Sequence, residues 1–118
     1  MANNIAFQAM GKTYKATVTT SSQSFQITSD MPCNQVCVAN HQPTTTGGQP
    51  VYFVFGNSSV TCTLPTGSGA NATYCLVSVP GTIKTYTVPK QFNTTDGLYV
   101  AFISEGTSEC YFTPGEGL

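Results

Sequence analysis

The sequence predicts an all-β protein: a single antiparallel β-sandwich, jelly roll or immunoglobulin-like Greek key, of about eight to nine short strands with little or no helix. Three observations predict it. Short runs rich in Val, Ile, Thr, Tyr and Phe recur along the whole chain. Gly, Pro, Asn and Asp cluster between those runs. No window carries an apolar period of about 3.6 residues long enough for a helix. The chain also has no tryptophan, which counts against a true immunoglobulin domain, where a core Trp packs on the disulfide.

Taken in order, TYKATVT (13–19) alternates polar and apolar residues, and SFQIT (24–28) repeats the pattern after the turn-like TSSQ. Behind Pro32, QVCVAN (35–40) is a continuous run of small apolar residues, as expected for a strand covered on both faces or one in a sandwich core. PVYFVF (50–55) is the most apolar segment and reads as a central strand. VTCTL (60–64), TYCLVSV (73–79), IKTYTV (83–88), LYVAFI (98–103) and CYFT (110–113) complete nine candidate strands. Between them GNSS (56–59), VPGT (79–82) and TTDG (94–97) supply tight turns, while HQPTTTGGQ (41–49) and PTGSGAN (65–71) read as longer loops. With no internal repeat and no linker, residues 1–118 form one domain, with an extended N-terminal arm (about 1–11) and a short C-terminal tail (about 113–118).

Charge narrows the function. Only 8% of the residues are charged, against about 25% in an average soluble protein. The basic residues are four lysines, there is no arginine, and the net charge is −1. Such a chain has neither the field that attracts phosphate backbones or anionic membranes nor the bidentate reader of guanine. Nucleic-acid and membrane partners are not expected. Apolar residues still make up 40%, so a core forms and the surface falls to Ser, Thr, Asn and Gln, as expected for a module living in an assembly and shared by extracellular and secreted domains.

The start MANNIAFQAMGKTYK lacks a basic stretch followed by an apolar core, and no run approaches the roughly 18 apolar residues of a membrane span. Folding in a cytoplasm is expected, with the five cysteines (33, 37, 62, 75, 110) reduced. A Cys37–Cys62 or Cys75–Cys110 bridge remains open for a protein that ends up outside the cell.

PCNQVCVANH (32–41) spaces Cys33, Cys37 and His41 four apart, twice over, which resembles a metal site. On a strand, residues four apart share a face but sit about 13 Å from one another. Zinc holds its ligands at about 2.0–2.3 Å, so no metal is expected there. His41 is the sole histidine, and it opens a loop with nothing nearby to make it the base of a nucleophile. The carboxylates Asp30, Asp96, Glu105, Glu109 and Glu116 all lie in or beside turns, unlike a glycosidase pair. GSGANA (67–72) fits a dinucleotide-turn outline, but a strand follows it where a helix is needed. The sequons at Asn57, Asn71 and Asn93 read as turn residues. No catalytic residue and no cofactor emerge, and the protein is expected not to be an enzyme.

Neighbouring aromatics such as Tyr52–Phe53 and Tyr111–Phe112 must face opposite sides of a sheet. Outward tyrosines either stack on a sugar, as in a carbohydrate-binding module, or meet another subunit. The missing Trp favours the subunit.

NIAFQAMGKT (4–13), SDMPCNQVCVAN (29–40) and CYFTPGEGL (110–118) together resemble a group of small virion proteins of tailed bacteriophages. In that group an N-I-A-F start, a central S-x-x-P-C strand and a T-P-G-E-G-L tail recur. The resemblance implies a β-sandwich decoration or cement protein, often trimeric, that binds the major capsid protein on the assembled icosahedral head. It would be made in the bacterial cytoplasm and located on the capsid surface. Another phage part, such as a head-fibre base, tail component or receptor-binding knob, fits the composition equally. The cysteines exceed the group's pattern. The flanking segments are the expected assembly contacts, through Ile5, Phe7, Met10 and Leu118. Deleting residues 1–10 should therefore abolish trimerisation and head binding, as read by sedimentation.

Overall fold

The computed structural model describes residues 7–30, 33–41, 49–65, 74–88 and 97–117. These form nine strands and, among the described residues, no helix: β1 (Phe7–Ala9), β2 (Tyr14–Val18), β3 (Gln23–Ile27), β4 (Gln35–His41), β5 (Val51–Gly56), β6 (Leu76–Ser78), β7 (Ile83–Thr87), β8 (Leu98–Ser104) and β9 (Ser108–Gly117). All pairings are antiparallel. One sheet runs β1-β9-β4-β7, with β2 also paired to β9, and the other runs β3-β8-β5-β6.

The order identifies which sandwich this is. In the first sheet β2, β9, β4 and β7 lie side by side, and in the second β3, β8, β5 and β6 do. The pairs β2–β9, β3–β8, β4–β7 and β5–β6 are nested, as if one long hairpin had been rolled up. That is the jelly roll of the two topologies the sequence leaves open.

Alternation along each strand makes the core. In β4, Val36, Val38 and Asn40 point inward while Gln35, Cys37, Ala39 and His41 point out. Phe53 of β5 and Phe112 of β9 are wholly buried, and their neighbours Tyr52 and Tyr111 face outward. Phe112 sits at the middle of an aromatic cluster that joins the sheets, 5.8 Å from Phe53, 6.0 Å from Phe25 and 6.1 Å from Phe102, ring centre to ring centre. Polar groups close one end. The buried Asn40 amide donates to the carbonyls of Ser78 (2.7 Å) and Gln49 (3.1 Å), and its side-chain oxygen accepts from the Ser108 hydroxyl.

Two expected turns have the chemistry their residues call for. At VPGT, Thr82 N–H donates to the Val79 carbonyl, and Gly81 takes a φ of 81°, the positive value a type II turn needs after proline. At GNSS, the Asn57 side chain accepts from Ser59 N–H, and Val60 N–H closes onto the Asn57 carbonyl.

Four expectations change. VTCTL is not a strand. It crosses the outer face of the second sheet as a strap, with Val60, Cys62 and Leu64 packed on Tyr52, Val54, Ala101 and Ile103. Its alternation is real, but it covers a sheet instead of joining one. The N-terminal arm is not free from Phe7 on: Phe7–Ala9 pairs with Gly115–Gly117, and Met10 N–H donates to the Pro114 carbonyl. Correspondingly, most of the supposed tail, 113–117, is the second half of β9. β1 and β2 share one side of β9 and are separated at Gly11, where an added Cβ would lie 2.8 Å from Pro114 Cγ and 3.0 Å from the Thr28 carbonyl. The start of the TYCLVSV run is also trimmed, leaving Leu76–Ser78 as the strand.

Phe112→Ala should cost about 3–5 kcal/mol of unfolding free energy, as expected for a large aromatic deleted from a packed core. Denaturant titration checks this. A loss under about 1 kcal/mol would mean the rings around it do not hold the sheets together.

Candidate functional site

Strand β4 places the histidine and one of the two PCNQVC thiols. Period-two geometry puts Cys37 and His41 on the outward face, Cys37 half-buried and His41 exposed. Cys33 lies before the strand and is buried. Pro32, expected to start the strand, falls outside the described residues, and the strand begins at Gln35. Among the described residues no three His, Cys, Asp or Glu side chains gather as a metal would need.

Beside His41 the outer face of the first sheet dips into an open hollow of about 300 Å³, lined by Ala39, Asn40, His41, Gly81, Ile83 and Tyr111. Register explains this lining. Ile83, Ala39 and Tyr111 are cross-strand neighbours on β7, β4 and β9, and His41 stands opposite Glu109. The His41 and Tyr111 rings meet edge to face at 6.5 Å. Further along, Lys15 on β2 pairs with Glu109 at 3.4 Å. Among the described residues, no serine, threonine or cysteine lines the hollow beside His41.

Two of the carboxylates are structurally engaged. Glu109 holds Lys15, and a Glu116 oxygen accepts the Asn34 N–H at 2.7 Å. Glu105 is exposed in the β8–β9 turn, and Asp30 closes a backbone bond onto the Met10 carbonyl. Asp96 lies outside the described residues. The outward tyrosines do not form a ladder. Tyr111 lines the hollow, while Tyr52 packs under the strap on the opposite face, and Tyr86 turns inward against Phe53 at 5.4 Å.

Of the expected assembly contacts, Ile5, Leu118 and the side chain of Phe7 lie outside the described residues. Met10 is half-buried, and its backbone is engaged on both sides, with Pro114 and Asp30.

The surface that sequence reasoning missed is elsewhere. β6 and β7 are the edge strands of the two sheets, and the VPGT turn joins them, so both edges run along one side of the sandwich. That side exposes Tyr74 (96%), Ile83 (71%), Val79 (54%), Val77 (46%) and Leu76 (40%). Exposed strand edges are ordinarily blunted by charge, and these two strands hold a single charged residue, Lys84. Ile83 also lines the hollow, so edge and hollow are continuous. The sequence signal was the pairing of apolar runs with missing charge at 74–83, which alternation alone does not reveal.

Two thiols are chemically suppressed. Burial pushes the Cys62 thiol from the ordinary 9.0 up to about 11, with a smaller push from Cys75 nearby. Burial also raises Cys110 to about 12, against the opposing pull of the Tyr111 backbone and the Ser78 side chain. Burial, and then Cys110, raises Tyr86 as well.

No family model, curated protein or solved structure matches the chain.

The raised Cys110 value carries a pH signature. The unfolded thiol ionises near 9.0 while the folded one stays protonated to about 12, so the folded state binds more protons in between and stability falls as pH rises through that window. Thermal melts across it should show the loss, and a Cys110→Ala variant should lose less. Equal slopes for the two proteins would show that Cys110 does not contribute.

Proposed function

We propose that the chain is a non-enzymatic structural subunit of a bacteriophage virion, a decoration or cement protein that binds the major capsid protein on the assembled head as a trimer. The observation that carries this reading is the apolar double edge of β6 and β7, with Tyr74, Val79 and Ile83 exposed on a chain with only nine charged residues. A patch of that kind marks a contact surface for other protein. Its partner is recognised by shape and apolar area, since little charge is available for steering. The jelly roll is compatible, being common in viral capsid and lectin domains, although a fold by itself assigns no function. The resemblance of the two terminal segments and of 29–40 to phage virion proteins supplies the specific assembly.

The β1–β9 pairing changes how the subunit would attach. Backbone at 7–10 is used within the chain, which favours the opposite edge of the first sheet as the main adhesive surface. Deleting residues 1–10 would strip a strand from β9 as well as any contact, and so does not isolate the interface.

A second reading is favoured by one observation: the His41–Tyr111 hollow offers an aromatic wall for a sugar ring. It would make the domain a carbohydrate-binding module or a receptor-binding knob.

An Ile83→Asp, Val79→Asp double variant should fold with unchanged circular dichroism yet fail to co-sediment with purified heads, to which the wild type binds in many copies. Retained head binding would sink the edge as the interface. Glycan-array binding by the wild type, lost in Tyr111→Ala, would favour the sugar reading instead.

A further inference from the structure

The five cysteines are present as thiols, with no disulfide among them. Their placement nevertheless sorts the possible pairs. Cys110 lies in the core between the sheets, whereas Cys75 packs on the outer face of the second sheet, so the sheet separates them. Cys37 is on the outer face of the first sheet and Cys62 on the outer face of the second, with the whole sandwich between them. Neither bridge left open by the sequence is therefore reachable, since a disulfide needs Cα atoms within about 7 Å.

Cys62 and Cys75 are different. Both belong to the same small cluster over Ala101 and Ile103. Cys62 is the middle of the strap, held by its N–H donating to the Ser22 hydroxyl (3.1 Å) and its Sγ donating to the Tyr52 carbonyl (3.4 Å). Tyr52 is paired with Val77, and Phe53 with Leu76. Continuing that register by one residue sets Cys75 beside Val54, on the outward face where Cys62 rests. Strap and strand edge thus bring two thiols, thirteen positions apart in sequence, onto one patch.

The geometry points to a Cys62–Cys75 disulfide that forms within the folded chain when a small-molecule disulfide such as glutathione disulfide is supplied. Cys75, the more exposed of the two, attacks first. Its thiolate displaces one glutathione thiolate and leaves a mixed disulfide on Cys75. The Cys62 thiolate then attacks the Cys75 sulfur, forms the new S–S bond and expels the second glutathione thiolate. Two protein thiols lose two electrons, one glutathione disulfide gains them, and the two protein protons end on the two departing glutathiones. Because burial holds the Cys62 thiol at about 11, its attack on the mixed disulfide should speed up about tenfold per pH unit below that value. The bond would fasten the strap to the start of β6, directly beside Tyr74, and close the loop at 63–74. The inference does not rest on the virion reading.

The test uses the full chain in its native state. After incubation with glutathione disulfide, unfolding and thiol counting should find three thiols in place of five, and non-reducing peptide mapping should link Cys62 to Cys75. Cys75→Ser and Cys62→Ala should each abolish that linked peptide, and Cys37→Ser should leave it. The oxidised wild type should melt higher by about 10 °C, the scale expected for closing a loop of this length. Five remaining thiols, a stable glutathione adduct on Cys75, or linkage of any other pair would each overturn the inference.

Discussion

The packing of Phe112 against Phe25, Phe53 and Phe102 is the contact on which the two sheets depend. Phe112 stands on β9, the strand with β1 and β2 along one side and β4 along the other. Each of those pairings fixes the position of the ring, and the ring in turn fixes the spacing of the second sheet. The Asn40 amide does the equivalent polar task at one end, joining β4 to the Ser78 carbonyl of β6 and to Ser108 of β9. A buried amide with its donors and acceptor matched rigidifies a core, whereas an unmatched one would weaken it.

Local pattern was legible where a residue's face is decided by its own strand. The alternation in 13–19 located β2, the small apolar run at 35–40 located β4, period-two geometry put Cys37 and His41 on one side, and VPGT announced its turn through Pro80 and Gly81. The pattern failed where the partner is distant in sequence. Val60, Cys62 and Leu64 alternate as a strand would, but the periodicity reports only that one side is covered, not that a neighbour is hydrogen-bonded. Phe7–Ala9 is too short for its alternation to be read; it becomes a strand because the end of β9 offers an open edge more than a hundred residues later. The exposed edge at 74–83 and the Cys62–Cys75 neighbourhood escaped for the same reason. Both follow from strand order, and strand order is not encoded in any single window.

The polarity of the molecule is uneven. Its first sheet shows water a face of Thr17, Thr85, Thr87, Thr113 and Lys15, with Thr13 and Thr113 joined by their hydroxyls at 2.8 Å. The second sheet hides its outer apolar face beneath the strap, which amounts to a small second core. What neither device covers is the side where β6 and β7 end the two sheets. Among the described residues, the apolar side chains left exposed are thus gathered along one side, while the core and the outer face of the second sheet are covered.

The antiparallel match of Phe7 with Gly117 has a corollary. The described chain enters and leaves at the same corner, on the edge of the first sheet opposite β7. Phe7 and Gly117 thus both lie on the side of the first sheet away from Ile83 and the hollow.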